Sequence, residues 1–201
     1  MIGWLYDLMA GRAERRGIGG RRRMLLADLE GEVLEIGSGT GASLPYYERA
    51  ARVVALEPDE SMASRLPARV AEAQVPVEIV NAGAESLPFP DGSFDAAVSA
   101  FVLCSVGDPA AVLGEIRRVL KPNGKLVVLE HVRGEGRTAR WQHRLTPLHR
   151  KLAGNCHLDR DTKTTVAAAG FDVTALEPTD LPGTHALVRP GLQGVAIRTS
   201  S

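Results

Sequence analysis

A chain of 201 residues is sized for one domain with a real core, and its 44% hydrophobic and 24% charged content is that of an ordinary globular protein. A formal net charge of zero leaves no global field to draw nucleic acid, so no nucleic-acid partner is expected. The only two cysteines, Cys104 and Cys156, lie far apart, which suits free thiols in a reducing compartment. No apolar run reaches the roughly 18–20 residues of a membrane span, and the expected location is the cytoplasm.

Residues 1–30 read as lead-in helices or a lid. Met1 to Met9 mixes apolar residues with Tyr6 and Asp7, and Arg12, Arg15, Arg16, Arg21, Arg22 and Arg23 follow, interrupted by glycines. The basic cluster comes after the apolar residues rather than before them, so a secretory signal is not expected. Two readings stand for this stretch. Its arginines are solvated on a lid, or they make weak peripheral contact with anionic lipid. Met24 to Leu29 is expected to form a short helix.

From Val33 the pattern alternates strand and helix. Val33 to Ile36 is a buried strand running into Gly37-Ser38-Gly39-Thr40-Gly41, with a helix expected from about Ala42. Val53 to Leu56 is the next strand, ending in Glu57-Pro58. Met62, Leu66, Val70 and Ala73 fall on one face of a helix. Val77 to Val80 and the largely apolar Phe94 to Ala100 are strands three and four. Asp108-Pro109 starts a helix as cap and first residue, with Val112, Leu113, Ile116, Val119 and Leu120 as its buried stripe. Lys121 to Gly124 stops it, and Lys125 to Glu130 is strand five.

Residues 133–160 break the rhythm with Arg, Gly, His, Trp141 and Pro147, and read as a partly helical insertion over the carboxyl ends of the strands. A helix from near Asp161 to Gly170, a strand from Phe171 to Leu176 and a last strand from Gln193 to Thr199 complete a chain expected to be one α/β domain over 1–201. Such alternation gives a mainly parallel sheet with helices on both faces.

The glycine turn carries the chemistry. Glycines at Gly37 and Gly39 permit positive φ and leave no Cβ between backbone and ligand, and a turn at the carboxyl end of a strand is where open α/β sheets bind nucleotide-like ligands. About 20 residues on, Glu57 can accept hydrogen bonds from both hydroxyls of a ribose. Gly37, Gly39 and Ala42 also satisfy the dinucleotide pattern, so an NAD(P) oxidoreductase is a rival. Against it, Glu35 is an acid inside an otherwise apolar strand, the third glycine is Gly41, and no second mononucleotide half follows. E-x-G-x-G-x-G with an acid ending strand two fits S-adenosylmethionine better.

E-I-G-S-G-T-G, the Glu57-Pro58 pair, A-G-A-E-S-L-P-F-P-D-G-S-F-D and R-R-V-L-K-P-N-G-K-L resemble the class I S-adenosylmethionine-dependent methyltransferases of the type 11 group. L-C-S-V (Leu103 to Val106), L-E-H-V (Leu129 to Val132), R-W-Q (Arg140 to Gln142) and C-H-L-D-R-D-T (Cys156 to Thr162) are similar to the thiol S-methyltransferases of that group and their bacterial relatives. The resemblance implies a Rossmann-like seven-stranded sheet in the order 3-2-1-4-5-7-6 with strand seven antiparallel. It places the methionine part of S-adenosylmethionine on Gly37, Ser38, Gly39, Thr40 and Gly41, the ribose on Glu57 beside Pro58, and the adenine along Gly83, Ala84 and Glu85. Backbone near Ala100 and Phe101 would close the site beside the methyl donor. Asn123 stands where relatives usually have glycine, a change that asparagine's tolerance of left-handed backbone makes harmless.

Methyl transfer from a sulfonium needs alignment, dryness and, for a protonated acceptor, a base. A small-molecule acceptor is expected, with a thiol favoured and a quinone or phospholipid-like molecule as alternative; the product would be S-adenosylhomocysteine. His131, at the end of strand five, is a candidate base or thiolate partner, set against a histidine bonded to backbone. Cys156 and His157 are candidates for lining the acceptor pocket, set against packing of the insertion on the core. No metal is expected at Cys156–His157, because no further Cys/His cluster adjoins them in sequence. Cys104 reads as a small buried apolar residue. Tyr6 is a candidate for folding over the cofactor, and Glu35 for either a cofactor-site carboxylate or a brace for the turn.

Overall fold

A computed structural model describes residue 11 and residues 14–199. Tyr6 and the rest of the apolar lead-in lie outside the described residues. A π-helical turn (Glu14–Ile18) leads into α1 (Gly19–Leu26). This helix begins and ends earlier than the Met24–Leu29 segment expected from the sequence, and Leu29 folds back, its N–H donating to the Leu26 carbonyl. The strands β1 (Gly31–Ile36), β2 (Ala50–Leu56), β3 (Val77–Val80) and β4 (Phe94–Ala100) follow, with short helices α2 (Glu60–Ala63) and α3 (Leu66–Val70) between β2 and β3. The rest comprises α4 (Pro109–Val119), β5 (Leu120–His131), α5 (Gly136–Leu152), α6 (Thr162–Ala168), β6 (Phe171–Asp172), β7 (Leu176–Asp180) and β8 (Pro190–Arg198).

One sheet joins them in the order β3-β2-β1-β4-β5-β8-β6, with β7 also on β8. The eighth strand is a split of the expected sixth. Asp172 pairs with Ile197 and Leu176 with Gly194, so four steps on one side meet three on the other, which is a one-residue bulge. β8 runs antiparallel to β5, whereas β1–β2, β1–β4, β2–β3 and β4–β5 are parallel. The expected seven-stranded topology is therefore present.

The two-residue period of β1 sorts its side chains. Leu34 and Ile36 enter the layer beneath α4 and α6, with Val112, Leu113, Ile116, Val119 and Val166. Val33 enters the opposite layer with Leu26, Leu44, Tyr47 and Leu66. Glu35 shares the face of Val33, so it is delivered fully buried among α1 and the segment after the glycine turn. The Asp108 side chain caps α4 by accepting from the N–H groups of Ala110 and Ala111. Asn123 adopts φ 60, the left-handed conformation expected of it.

Two more expectations need correction. No α-helix starts at Ala42; a chain of turns leads into a 3₁₀ turn at Leu44–Tyr46, because Pro45 cannot donate to a continuing helix and only a few residues remain before β2. The single amphipathic helix across Met62 to Ala73 is broken into α2 and α3, with Pro67 in the first turn of the second. Among the described residues, no helix is long and apolar enough to cross a membrane.

Candidate active site

β1 breaks at its carboxyl end into a turn in which Gly37, Gly39 and Gly41 take φ of 54°, 57° and 81°. A Cβ on Gly37 would lie 2.7 Å from a methyl of Val102, so the turn after β4 packs directly on this one. A Cβ on Gly39 would find nothing closer than 3.9 Å, so that backbone is uncovered. Ser38 ties the turn down: its N–H donates to the Leu56 carbonyl at 2.9 Å and its hydroxyl to the Glu35 carbonyl. Thr40 is half-buried beside it.

Glu57 follows β2 and is 5% exposed. One carboxylate oxygen accepts from the Gly39 N–H at 2.7 Å and the other from the Asp59 N–H at 2.9 Å. The acid thus faces the glycine turn, and each oxygen keeps further acceptor capacity. Pro58 is exposed next to it. The loop holding Gly83, Ala84 and Glu85 joins β3 to β4; Ala84 is buried and Glu85 exposed. Glu115 of α4 accepts from the Leu87 N–H at 2.8 Å and pairs with Arg118, which in turn donates to the carbonyls of Leu87 and Phe89, so this loop is fixed from below. An uncovered backbone turn facing a buried acid on the neighbouring strand fits an adenosine-bearing amino acid.

Glu35 lies behind this cradle. It accepts from the Tyr47 hydroxyl at 3.1 Å, and burial pushes its pKa up against the counteracting Ser43 hydroxyl and Arg22 charge. Arg22, 7% exposed, donates to Glu14 at 2.8 Å and to the Ser43 hydroxyl at 2.6 Å, and stacks 5.7 Å from the Phe101 ring centre. Arg22 is therefore not a solvated lid arginine. Arg21 also turns inward, onto Gln193 and the Asp180 carbonyl. Only their place in a basic run was visible in the sequence.

Ala100 ends β4, and Phe101 takes φ 65, a costly conformation for an aromatic residue, held by its N–H donating to the Leu129 carbonyl at 2.9 Å. The turn that follows is clamped by Glu130, a fully buried residue of β5 that sequence reasoning missed. Its carboxylate accepts from the Ser99 hydroxyl (2.7 Å) and the N–H groups of Val102 (2.8 Å) and Leu103 (3.0 Å). An acid in an otherwise apolar strand is the signal that could have found it, as for Glu35.

The insertion is stitched to that turn. His157 donates its backbone N–H to the Cys104 carbonyl at 2.8 Å, Asn155 its side-chain amide to the Ser105 carbonyl, and Arg160 its guanidinium to the carbonyls of Leu103 and Val106. Buried Gln142 anchors α5, accepting from the Gly134 N–H and donating to the carbonyls of Val132 and Leu187. This docking brings Cys104 and Cys156 together, 52 positions apart in the chain, and sets both against His131. The His131 Nε2 lies 2.6 Å from the Cys156 Sγ, and the ligating atoms of all three residues lie within 4.8 Å of one another.

Burial disfavours the His131 imidazolium, but the adjoining Cys104 sulfur and the Glu130 charge raise its pKa overall. The Cys104 thiol is pushed well up by its hydrogen bond with Cys156, by burial and by Glu130. The His157 ring stays outside the trio, with its pKa lowered by burial and by Arg160 and Arg150. Cys104 is buried as expected, but as a member of a polar cluster rather than as an apolar filler. The premise that no further Cys or His adjoins Cys156 holds along the chain and not in space. A groove of about 340 Å³ at Gly31, Asp95 and Lys121 to Lys125 opens at the opposite, amino ends of the strands.

Comparison with known proteins accords with this geometry. Residues 34–128 match the family model described as a methyltransferase domain. The chain is 34% identical over 171 residues to the thiol S-methyltransferase TMT1A of Homo sapiens, spanning 83% of this chain and 70% of that protein. It is 37% identical over 103 residues to the phosphatidylethanolamine N-methyltransferase of Cereibacter sphaeroides, about half of each chain. A solved structure from Thermotoga maritima, an S-adenosylmethionine-dependent methyltransferase described as a possible histamine N-methyltransferase, superimposes with a TM-score of 0.66 at 27% identity, over 96% of this chain and 90% of that one. The chain belongs to the S-adenosylmethionine-dependent methyltransferases built on this domain, and S-adenosylmethionine is its cofactor.

Proposed function

We propose that the protein methylates the sulfur of a small thiol. The observation that carries this reading is the extent of the likeness. Similarity to the thiol S-methyltransferase spans 83% of the chain, whereas that to the phosphatidylethanolamine enzyme spans 50%. A match over half of the chain carries less about the acceptor than one that reaches most of it.

Bound S-adenosylmethionine supplies an electrophilic methyl on a sulfonium. The chain supplies the rest. The bare backbone of Gly37 to Gly41 receives the amino-acid end, Glu57 accepts the ribose hydroxyls, and the loop of Gly83, Ala84 and Glu85 lines the base. Ala100 and Phe101 bound the methyl end. Holding the two sulfurs in line with the methyl carbon is worth on the order of 7–11 kcal/mol at best. A thiol, with an ordinary pKa near 8.5, needs only modest help to ionise. The Cys104–His131–Cys156 cluster sits at the carboxyl ends of β4 and β5, two strand spacings or roughly 10 Å from the end of β1, where such help is wanted. A reducing cytoplasm, in which both cysteines stay thiols, suits this chemistry.

The test is a set of parallel incubations with methyl-labelled S-adenosylmethionine and ethanethiol, a quinol or phosphatidylethanolamine vesicles. Label on the thiol is expected. Label on quinol or lipid and never on thiol would replace this reading with the lipid-like one.

A further inference from the structure

We propose that Cys104, His131 and Cys156 form a zinc site whose fourth position takes the acceptor thiol. The inference rests on the thiol reading above, and its test separates the two.

Two sulfurs and an imidazole nitrogen within 4.8 Å of one another are a soft donor set that selects zinc over magnesium or calcium. The His131 Nδ1 is buried without a partner among the described residues, and the sulfurs are the polar atoms the ring's other nitrogen meets. The 2.6 Å approach of Nε2 to the Cys156 Sγ is tighter than two ligands sharing a metal need. At zinc bond lengths of about 2.3 Å to sulfur and about 2.0 Å to nitrogen, tetrahedral geometry separates them by roughly 3.5 Å. Cys156 lies on a loop whose outward shift by about 1 Å would open that space.

The supports around the trio are those a metal site requires. Glu130 fixes the turn bearing Cys104 through the Val102 and Leu103 N–H groups. His149 is bonded through Nδ1 to the Cys156 carbonyl at 3.1 Å. The Arg160 guanidinium is held on the Leu103 and Val106 carbonyls beside both sulfurs, where positive charge favours thiolates.

Three protein ligands leave a fourth position open, the arrangement of catalytic zinc. Cys104 and His131 are each 2% exposed, and Cys156 as a whole residue is half-buried although its sulfur belongs to the buried trio, so the acceptor would enter on the Cys156 side. An acceptor R–SH joining there releases its proton to water and stays as a zinc-bound thiolate. Its sulfur lone pair then forms the S–CH₃ bond as the bond from that methyl to the sulfonium breaks, the electron pair returning to the departing sulfur. The thioether and S-adenosylhomocysteine leave, and no oxidant or reductant is involved.

The purified full chain, reduced and stripped of metal, is titrated with Zn²⁺ and with Co²⁺. About one equivalent is expected, with both cysteines shielded from a thiol reagent and a tetrahedral cobalt spectrum carrying sulfur charge-transfer bands. Ethanethiol should then raise those bands by roughly half, as two thiolates become three. Cys156→Ser should weaken Zn²⁺ binding by roughly 100-fold or more, and a thermal melt that rises with Zn²⁺ for wild type but not for this variant separates lost binding from misfolding. No stoichiometric binding, binding unchanged in Cys156→Ser, or capture of the two cysteines as a disulfide in place of metal overturns the zinc site. Thiol methylation that continues at full rate in chelator overturns it while leaving the thiol reading intact. A tetrahedral cobalt site whose spectrum ignores ethanethiol overturns the role of its fourth position.

Discussion

Replacing Glu57 with alanine tests the cofactor cradle at its most exposed assumption. In the free protein the carboxylate already accepts from the N–H groups of Gly39 at 2.7 Å and Asp59 at 2.9 Å, and it is 5% exposed. The substitution therefore does two things. It leaves two backbone donors short of an acceptor, one of them in the glycine turn itself, and it removes the group that would accept the ribose hydroxyls. A hydrogen bond to a charged acceptor is worth roughly 1.5–3 kcal/mol. Loss of the ribose contact should weaken cofactor binding by that amount, roughly 10- to 150-fold in Kd. Calorimetric titration with S-adenosylhomocysteine reads the change, and a denaturant melt reads the separate cost to the turn. Glu57→Gln, which keeps one acceptor oxygen, should fall between wild type and alanine in both. If the alanine variant binds within about twofold of wild type, the ribose is held elsewhere and the cradle has been wrongly assigned.

Three further outcomes follow from the same contacts. Glu130→Ala should disturb the turn after β4 and destabilise the chain by about 1–3 kcal/mol in urea, because the Ser99 hydroxyl and the N–H groups of Val102 and Leu103 all lose their shared acceptor oxygen; unchanged stability would mean that the turn holds itself. Glu115 has its pKa drawn down to about 2 by the Arg118 hydrogen bonds and the Leu87 N–H, against burial. Its stabilisation is present above the unfolded value near 4.5 and lost as pH falls towards 2, so the advantage of wild type over Glu115→Gln, about 1 kcal/mol or 2–4 °C in Tm, should vanish across that window; a constant difference would refute the pairing. Arg22→Met should cost about 1–3 kcal/mol by leaving Glu14 and the Ser43 hydroxyl without that partner, and adding Glu14→Gln should restore part of it; strictly additive losses would show the two to be uncoupled.

The parallel half of the fold was legible because its signals are local. β4 occupies the Phe94–Ala100 span expected of it, and the Asp108-Pro109 cap opens α4 where expected. The glycine turn and Glu57 were legible for the same reason, since spacing along two adjacent strands fixes their distance in space. What failed were features decided across the chain. A glycine turn suggested a following helix, yet Pro45 and the short run to Ala50 left room only for a 3₁₀ turn. Arg22 looked like one solvated charge among six, and only the packing of α1 against Ser43 and Phe101 buries it. Cys104, His131 and Cys156 carried no shared spacing. Their meeting depends on backbone hydrogen bonds such as His157 to Cys104, which no side-chain pattern announces.

The most direct test is a crystal structure with S-adenosylhomocysteine and ethanethiol bound. The account predicts ribose hydroxyls on Glu57, the amino-acid end over Gly37 to Gly41, and the thiol sulfur at the carboxyl ends of β4 and β5 beside Cys156. A nucleoside bound away from Glu57, or a thiol sulfur lodged on the far side of the cofactor from Cys156, would contradict it.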